Sequence, residues 1–344
     1  MRRAGSVARV RSFHCPKCGQ LLFFENSLCL NCGSDVGFDR ASAAFVLGTP
    51  DLRCGNALRA ECNWTAPDGE LCDCCELTRT RPNDDDLDGM AAFARAEAAK
   101  RRLLYQLDDL NLPVEASEDC PALLFDLLSS SDGPVTTGHA DGVITIDLAE
   151  GDDGHREMMR VRLDEPYRTL LGHFRHEVGH YFWLRLVHGR PAEPVFRALF
   201  GDERLDYAEA LRRHYASDPA PGWDETYVSV YATAHPWEDW AETFSHYLHI
   251  RDTLQTASAF GIVVAGPEIA APPDPGAPLT SVPIETDDFD DLITSWLPLT
   301  YALNAVNRSM GKKDLYPFVL SPTVLEKLRL VHALVMRRQP ARQR

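Results

Sequence analysis

Helical periodicity dominates the chain beyond residue 83. From Leu87 to Asp109 the run through Phe93, Leu103, Leu104 and Leu107 predicts a long helix, with Lys100-Arg101-Arg102 as a solvated face. Ala122 to Leu128 reads as a further helical stretch. Gly142 to Leu148 alternates and is β-branched, so it predicts a strand, either interior or at a sheet edge. Tyr167 to Leu186 is a helix with a long apolar flank from Tyr181 to Val187. Pro194–Phe200 and Asp206–Tyr215 predict two shorter helices. Pro236 can occupy the first turn of another helix, which is made apolar by Trp237, Trp240, Phe244, Tyr247 and Leu248. Ile284–Ala305 and a capped segment from Ser321 to about Met336 complete the helical set. Arg156–Arg162 reads as a short helix or strand, Pro267–Pro283 as a mobile loop and Arg337–Arg344 as a frayed tail. The expected class is α+β, a mostly helical body with a small β-rich head.

Cysteine usage separates that head from the body. Nine of the ten cysteines precede residue 76. Cys15-x2-Cys18 and Cys29-x2-Cys32 form two knuckles, and each pair of thiolates can converge on one tetrahedral Zn²⁺. Cys54, Cys62, Cys72 and Cys75 form a second, irregular set, with Cys74 as an alternative to Cys75; Cys120 reads as a buried thiol. Sites closed by four thiolates leave no position for water, so both are expected to be structural. Such unpaired, metal-spaced thiols, and an N-terminus without an apolar leader core, predict a cytoplasmic protein.

The 344 residues are 44% hydrophobic and 25% charged, as expected for a chain with a sizeable core, and no stretch is apolar enough for a membrane span. The net charge of −16 is uneven. Residues 1–60 hold 8 Lys+Arg against 4 Asp+Glu, whereas the rest holds 27 against 47. The head could meet an anionic partner; the body should repel nucleic acid.

The candidate chemistry lies in His176-Glu177-Val178-Gly179-His180. Two histidines four apart share a helix face and can hold one Zn²⁺. Glu177 can take a proton from a water polarised by that metal and pass it to a leaving amine. A third histidine six residues on is excluded, because Leu186 stands there and His188 is at the wrong offset. The third ligand is therefore sought on the Pro236 helix. Glu238 can ligate, and Glu242, one turn on, can accept the ring N–H of a ligating histidine. Tyr231 or His235, on the approach to that helix, could donate to the oxyanion of a tetrahedral intermediate, or Tyr231 could pack as an ordinary aromatic. His173 is read as a core residue.

These residues carry a resemblance. Two helices with Glu238 as third ligand resemble the gluzincin metallopeptidases. Tyr231-x6-Glu238-x-Trp240-Ala241-Glu242-x-Phe244 is similar to the catalytic domain of anthrax lethal factor. There the first Glu binds zinc, the second supports the site and the Tyr assists the transition state. Nearly the whole chain resembles bacterial zinc-binding metallopeptidases that begin with a zinc ribbon. That wider resemblance rests on the paired Cys clusters, Ala99-Lys100-Arg101-Arg102, Gly138-His139, Gly172 to Glu177, His235 to Glu242, and Asn307 to Gly311. It implies a zinc-ribbon domain at 1–82 and a gluzincin-like metallopeptidase domain at 83–344, with a catalytic Zn²⁺ and one or two structural ones. In the gluzincins a sheet-edge strand pairs with extended substrate, a role open to Gly142–Leu148.

The leading expectation is a zinc metallopeptidase acting on a peptide or protein, with the head docked on the body or recognising a protein partner. The alternative is a zinc-ribbon adaptor whose body is non-catalytic, or autoprocessing with the Pro-rich loop blocking the cleft. Glu177 favours the enzyme, since a purely structural zinc has no need of it.

Overall fold

The computed structural model describes residues 12–151, 169–264 and 288–337. The head is built from two short antiparallel pairs. Strand β1 (Phe13–His14) pairs with β2 (Leu21–Leu22), and β3 (Val36–Asp39) with β4 (Ala44–Leu47). Strands this short cannot bury a core alone. Phe13, Phe24, Phe38 and Phe45 pack at centroid separations of 5.0–5.9 Å, edge to face except for the tilted Phe13–Phe24 pair, and Trp64 closes over Phe38 at 5.4 Å. A four-residue helix, α1 (Asp73–Glu76), ends the head.

The body sheet has the order β5 (Thr78–Thr80), β6 (Leu124–Leu128), β8 (Val143–Asp147), β7 (Gly138–Ala140). Pairs β5/β6 and β6/β8 are parallel and β7/β8 is antiparallel. Helix α2 (Leu87–Asp109) makes the β5-to-β6 crossover, capped at its start by Asp86, which accepts from Gly89 N. Strand β5 lies within the first 82 residues yet pairs in the body sheet. Tyr105 of α2 also joins the head's aromatic cluster, 5.2 Å from Phe24 and 5.6 Å from Phe38. Arg40 of the head grips Asp108 of α2 with two hydrogen bonds of 2.8 Å. Head and body therefore share one core.

Two sequence expectations change here, and one open alternative is decided. Ala122–Leu128 is not helical: its last five residues form β6. Its leucines and Ala122 suit a helix and Asp126 is disfavoured in strands, but pairing on both sides buries this segment and overrides propensity. The strand predicted from Gly142 exists as β8 and takes the interior one of its two alternatives; among the described residues the outer strands of this sheet are β5 and β7. Finally, Lys100 and Arg101 are not solvated, being 0% and 3% exposed. The readings at Arg156–Arg162 and Pro267–Pro283 fall outside the described residues, as does the tail beyond Arg337.

The further α-helices among the described residues are α3 (Leu170–Leu186), α4 (Glu193–Phe200), α5 (Tyr207–Ala216), α6 (Pro236–Ala259), α7 (Phe289–Ser309) and α8 (Pro322–Met336). Thr169 caps α3 by accepting from Gly172 N, and Ser321 caps α8 by accepting from Val324 N. Helices α3 and α6 share the most extensive contact between described helices, and Gly179 permits their close approach. A Cβ there would meet Ala241 Cα at 3.0 Å and its carbonyl oxygen at 3.1 Å. Trp240 Nε1 donates to Gly179 O at 2.9 Å, and Phe182 stacks on Phe244 at 5.5 Å. Gly179→Val should force these helices apart and lower stability by about 1–3 kcal/mol. Thermal unfolding measures this; an unchanged midpoint would mean the contact can give way.

Candidate metal centres and active site

The α3–α6 crossing sets facing side chains on a fixed frame. His176 and His180, one turn apart on α3, face Glu238 in the first turn of α6, and their ligand atoms lie within 4.8 Å of one another. His176 Nε2 is 3.0 Å and His180 Nε2 is 3.4 Å from Glu238 Oε2. Glu242, one turn further along α6, takes the other side of His176, with Oε1 2.7 Å from Nδ1. Its second oxygen accepts from Ser229 Oγ at 2.6 Å, and Ser229 Oγ accepts from Ala232 N. The His176 ring is thus fixed from behind.

Two tyrosines bracket the same spot. Tyr207, at the start of α5, donates to Glu238 Oε1 at 2.6 Å. Nothing in the sequence pattern singled it out. The ring of Tyr231 lies 5.8 Å from that of His176. Burial, with Glu238 and Tyr207 close by, holds the Tyr231 phenol well above its ordinary pKa, so the hydroxyl keeps its proton and can donate. His235 is used otherwise. Its Nδ1 accepts from Trp237 N at 3.1 Å, capping α6, and its Nε2 faces Leu205 O at 3.2 Å. Both ring nitrogens are engaged, so the oxyanion role considered for His235 is withdrawn in favour of the tyrosines. Trp237 lies against His180 with centroids 4.0 Å apart.

The charges of this site call for a cation. Burial alone would strip the proton from His176, but Glu238 and Glu242 at its two ring nitrogens hold its pKa well above the usual value. Burial pushes the Glu177 carboxyl up, against the pull of His176 and His180. Glu177 Oε2 is buried without a hydrogen-bond partner. Two imidazoles, a carboxylate and an unpartnered glutamate beside them fit a divalent zinc with an adjacent water. The two carboxylates favour the protonated form of His176, whereas a metal ligand must be deprotonated. Zinc uptake here is therefore expected to release a proton, and affinity should rise with pH by about tenfold per unit while His176 would otherwise be charged. Calorimetry in buffers of different ionisation enthalpy measures the release; affinity constant between pH 6 and 8 would contradict it.

The head holds two further sets, Cys15, Cys18, Cys29 and Cys32, and Cys54, Cys62, Cys72 and Cys75. Cys15–Cys32, Cys18–Cys29 and Cys62–Cys72 have sulfur separations of 3.7, 3.6 and 3.6 Å. These exceed a disulfide bond and match the edge of a tetrahedron with Zn–S near 2.3 Å, about 3.8 Å. Cys75, rather than Cys74, completes the second set. Cys74 is fully buried outside it, and burial pushes its thiol up.

Residues 89–334 match the family model described as "Putative zinc-binding metallo-peptidase", and residues 12–86 match a zinc-ribbon domain. The chain belongs to this family. Proteins of Mycobacterium tuberculosis and Mycobacterium bovis, both bearing the name uncharacterized protein, are 51% identical to it over 335 residues, 95% of either chain. No solved structure matches. Family membership gives a zinc-binding, hydrolase-class protein with a zinc ribbon. Among the described residues, no helix is long and apolar enough to cross a membrane.

Proposed function

We propose that this family member is a zinc-dependent peptidase of gluzincin type, with Glu177 as general base and the head as a structural module. The carrying observation is the convergence of His176, His180 and Glu238 beside the buried, unpartnered Glu177 Oε2. When bound, zinc polarises a water and the substrate carbonyl, bringing that water's pKa toward neutrality. Glu177 accepts the proton of the attacking water and returns it to the leaving amine. Tyr231, or Tyr207 on release from Glu238, donates to the oxygen that becomes negative. Glu242, held by Ser229, keeps the His176 ring in its ligating orientation. In this reading β7, rather than β8, offers the backbone edge for an extended peptide, since of the two outer described strands, β5 and β7, it is β7 that packs beside α3.

The two-domain division near residue 82 belongs to the same proposal, with β5 contributed to the body sheet. Cytoplasmic residence rests on the reduced, metal-spaced thiols. The test is digestion of a diverse peptide library followed by mass spectrometry. Cleavage that a chelator abolishes and zinc restores is expected. Intact peptides with the zinc-loaded protein would leave the adaptor reading in its place.

A further inference from the structure

Fully buried charges normally weaken a fold unless something compensates them. Helix α2 carries three such residues on one face, directly behind the second tetracysteine set. Glu97 and Lys100 are 0% exposed and Arg101 is 3% exposed. Lys100 Nζ donates to Glu97 Oε1 at 2.6 Å and to Thr78 Oγ1. Glu97 Oε2 lies 3.7 Å from Cys75 Sγ. Arg101 donates to the carbonyls of Ala60 and Glu61, at 3.4 and 3.3 Å, and so fixes the loop that delivers Cys62. One Glu does not balance two cations. Four thiolates around one divalent ion leave two negative charges in a dry interior, where Coulomb interactions are strong. Cys62, Cys72 and Cys75 are each 5% exposed or less, so water cannot screen that charge.

We propose that Lys100 and Arg101 are positioning residues of the second tetracysteine zinc centre. They neutralise its excess charge from the body helix, and thereby make zinc retention depend on head and body being joined. The centre is then a weld between the two parts rather than an independent module. This role rests on the cysteine centre and not on the proposed peptidase chemistry.

The test is zinc release from the full-length protein into a chromogenic chelator, with alkylation and mass spectrometry locating the freed thiols. Lys100→Met should release one zinc at least about tenfold faster, with Cys54, Cys62, Cys72 and Cys75 becoming alkylated and the Cys15–Cys32 set unchanged. Glu97→Gln/Lys100→Met discriminates a purely local ion pair. If Lys100 serves only Glu97, removing both restores slow release and overturns the proposal; if it serves the zinc, release stays fast. Should Lys100→Met fail to fold, Arg101→Gln gives the same reading, and wild-type release from that variant would refute the assignment.

Discussion

Glu177→Gln is expected to leave zinc bound and to lower peptide hydrolysis by about 10²- to 10⁴-fold, the usual contribution of a positioned acid–base group. The substitution keeps the shape and removes the charge of a buried carboxylate whose Oε2 is unpartnered, so folding should be unaffected. What it loses is a group that can take and return a proton. The structure makes this a clean separation. Glu177 Oε2 has no protein partner to be disrupted, and the three ligand positions belong to other residues. Metal content and melting temperature should match the parent protein while turnover collapses. Turnover within a few-fold of the parent would remove Glu177 from the chemistry, and a loss of zinc would mean that it supports the metal instead.

Cys62→Ser should have the largest effect on stability. A structural zinc site contributes about 10–16 kcal/mol of apparent binding energy at neutral pH, comparable to the whole stability of a typical domain. Serine is a poor zinc ligand, so one zinc per chain should be lost. The damage should not stay in the head. Arg101 holds the Cys62 loop, Tyr105 packs in the head's aromatic cluster, and β5 follows Cys75 directly into the body sheet. Unfolding of the head and loosening of α2 are expected, read by hydrogen exchange along α2 and by thermal unfolding. Cys74→Ala is the control: the residue is equally buried but outside the metal set, so zinc content should be unchanged and the loss limited to packing. If Cys62→Ser retained full zinc and α2 protection, the second set would not be a metal site.

Much of the site was legible because its residues lie close in sequence and obey helix geometry. His176 and His180 must share a face, as must Glu238 and Glu242. Meeting of the two faces was inferable because buried carboxylates on an apolar helix need partners. Tyr207 was not readable, since its contact with Glu238 comes from where α5 is laid down. Ser229 stood two residues from Tyr231 without marking itself. His235 was misjudged: its position just before Pro236 is that of a helix cap, and capping claimed its ring.

The fold shows the same division. Helices with a clear apolar period were placed to within a few residues, as with α2 and α8. Strand β6 was missed because its sequence suits a helix and only its neighbours make it a strand. The β7–β8 hairpin had a local signal, Asp141-Gly142, with both residues at positive φ, but β7 itself has no apolar alternation. Lys100 and Arg101 looked solvated because charge in sequence ordinarily means exposure. Their burial follows from a thiolate-rich neighbour that lies about 25 residues or more away along the chain.

The most direct test of the central claim is zinc-edge anomalous scattering from crystals of the full chain. Three peaks are expected. Two should lie within the cysteine sets, and the third should be bound by His176 Nε2, His180 Nε2 and a Glu238 oxygen, with Glu177 alongside. Peaks at the cysteines only, with residues 176, 180 and 238 turned to other partners in zinc-replete protein, would contradict it.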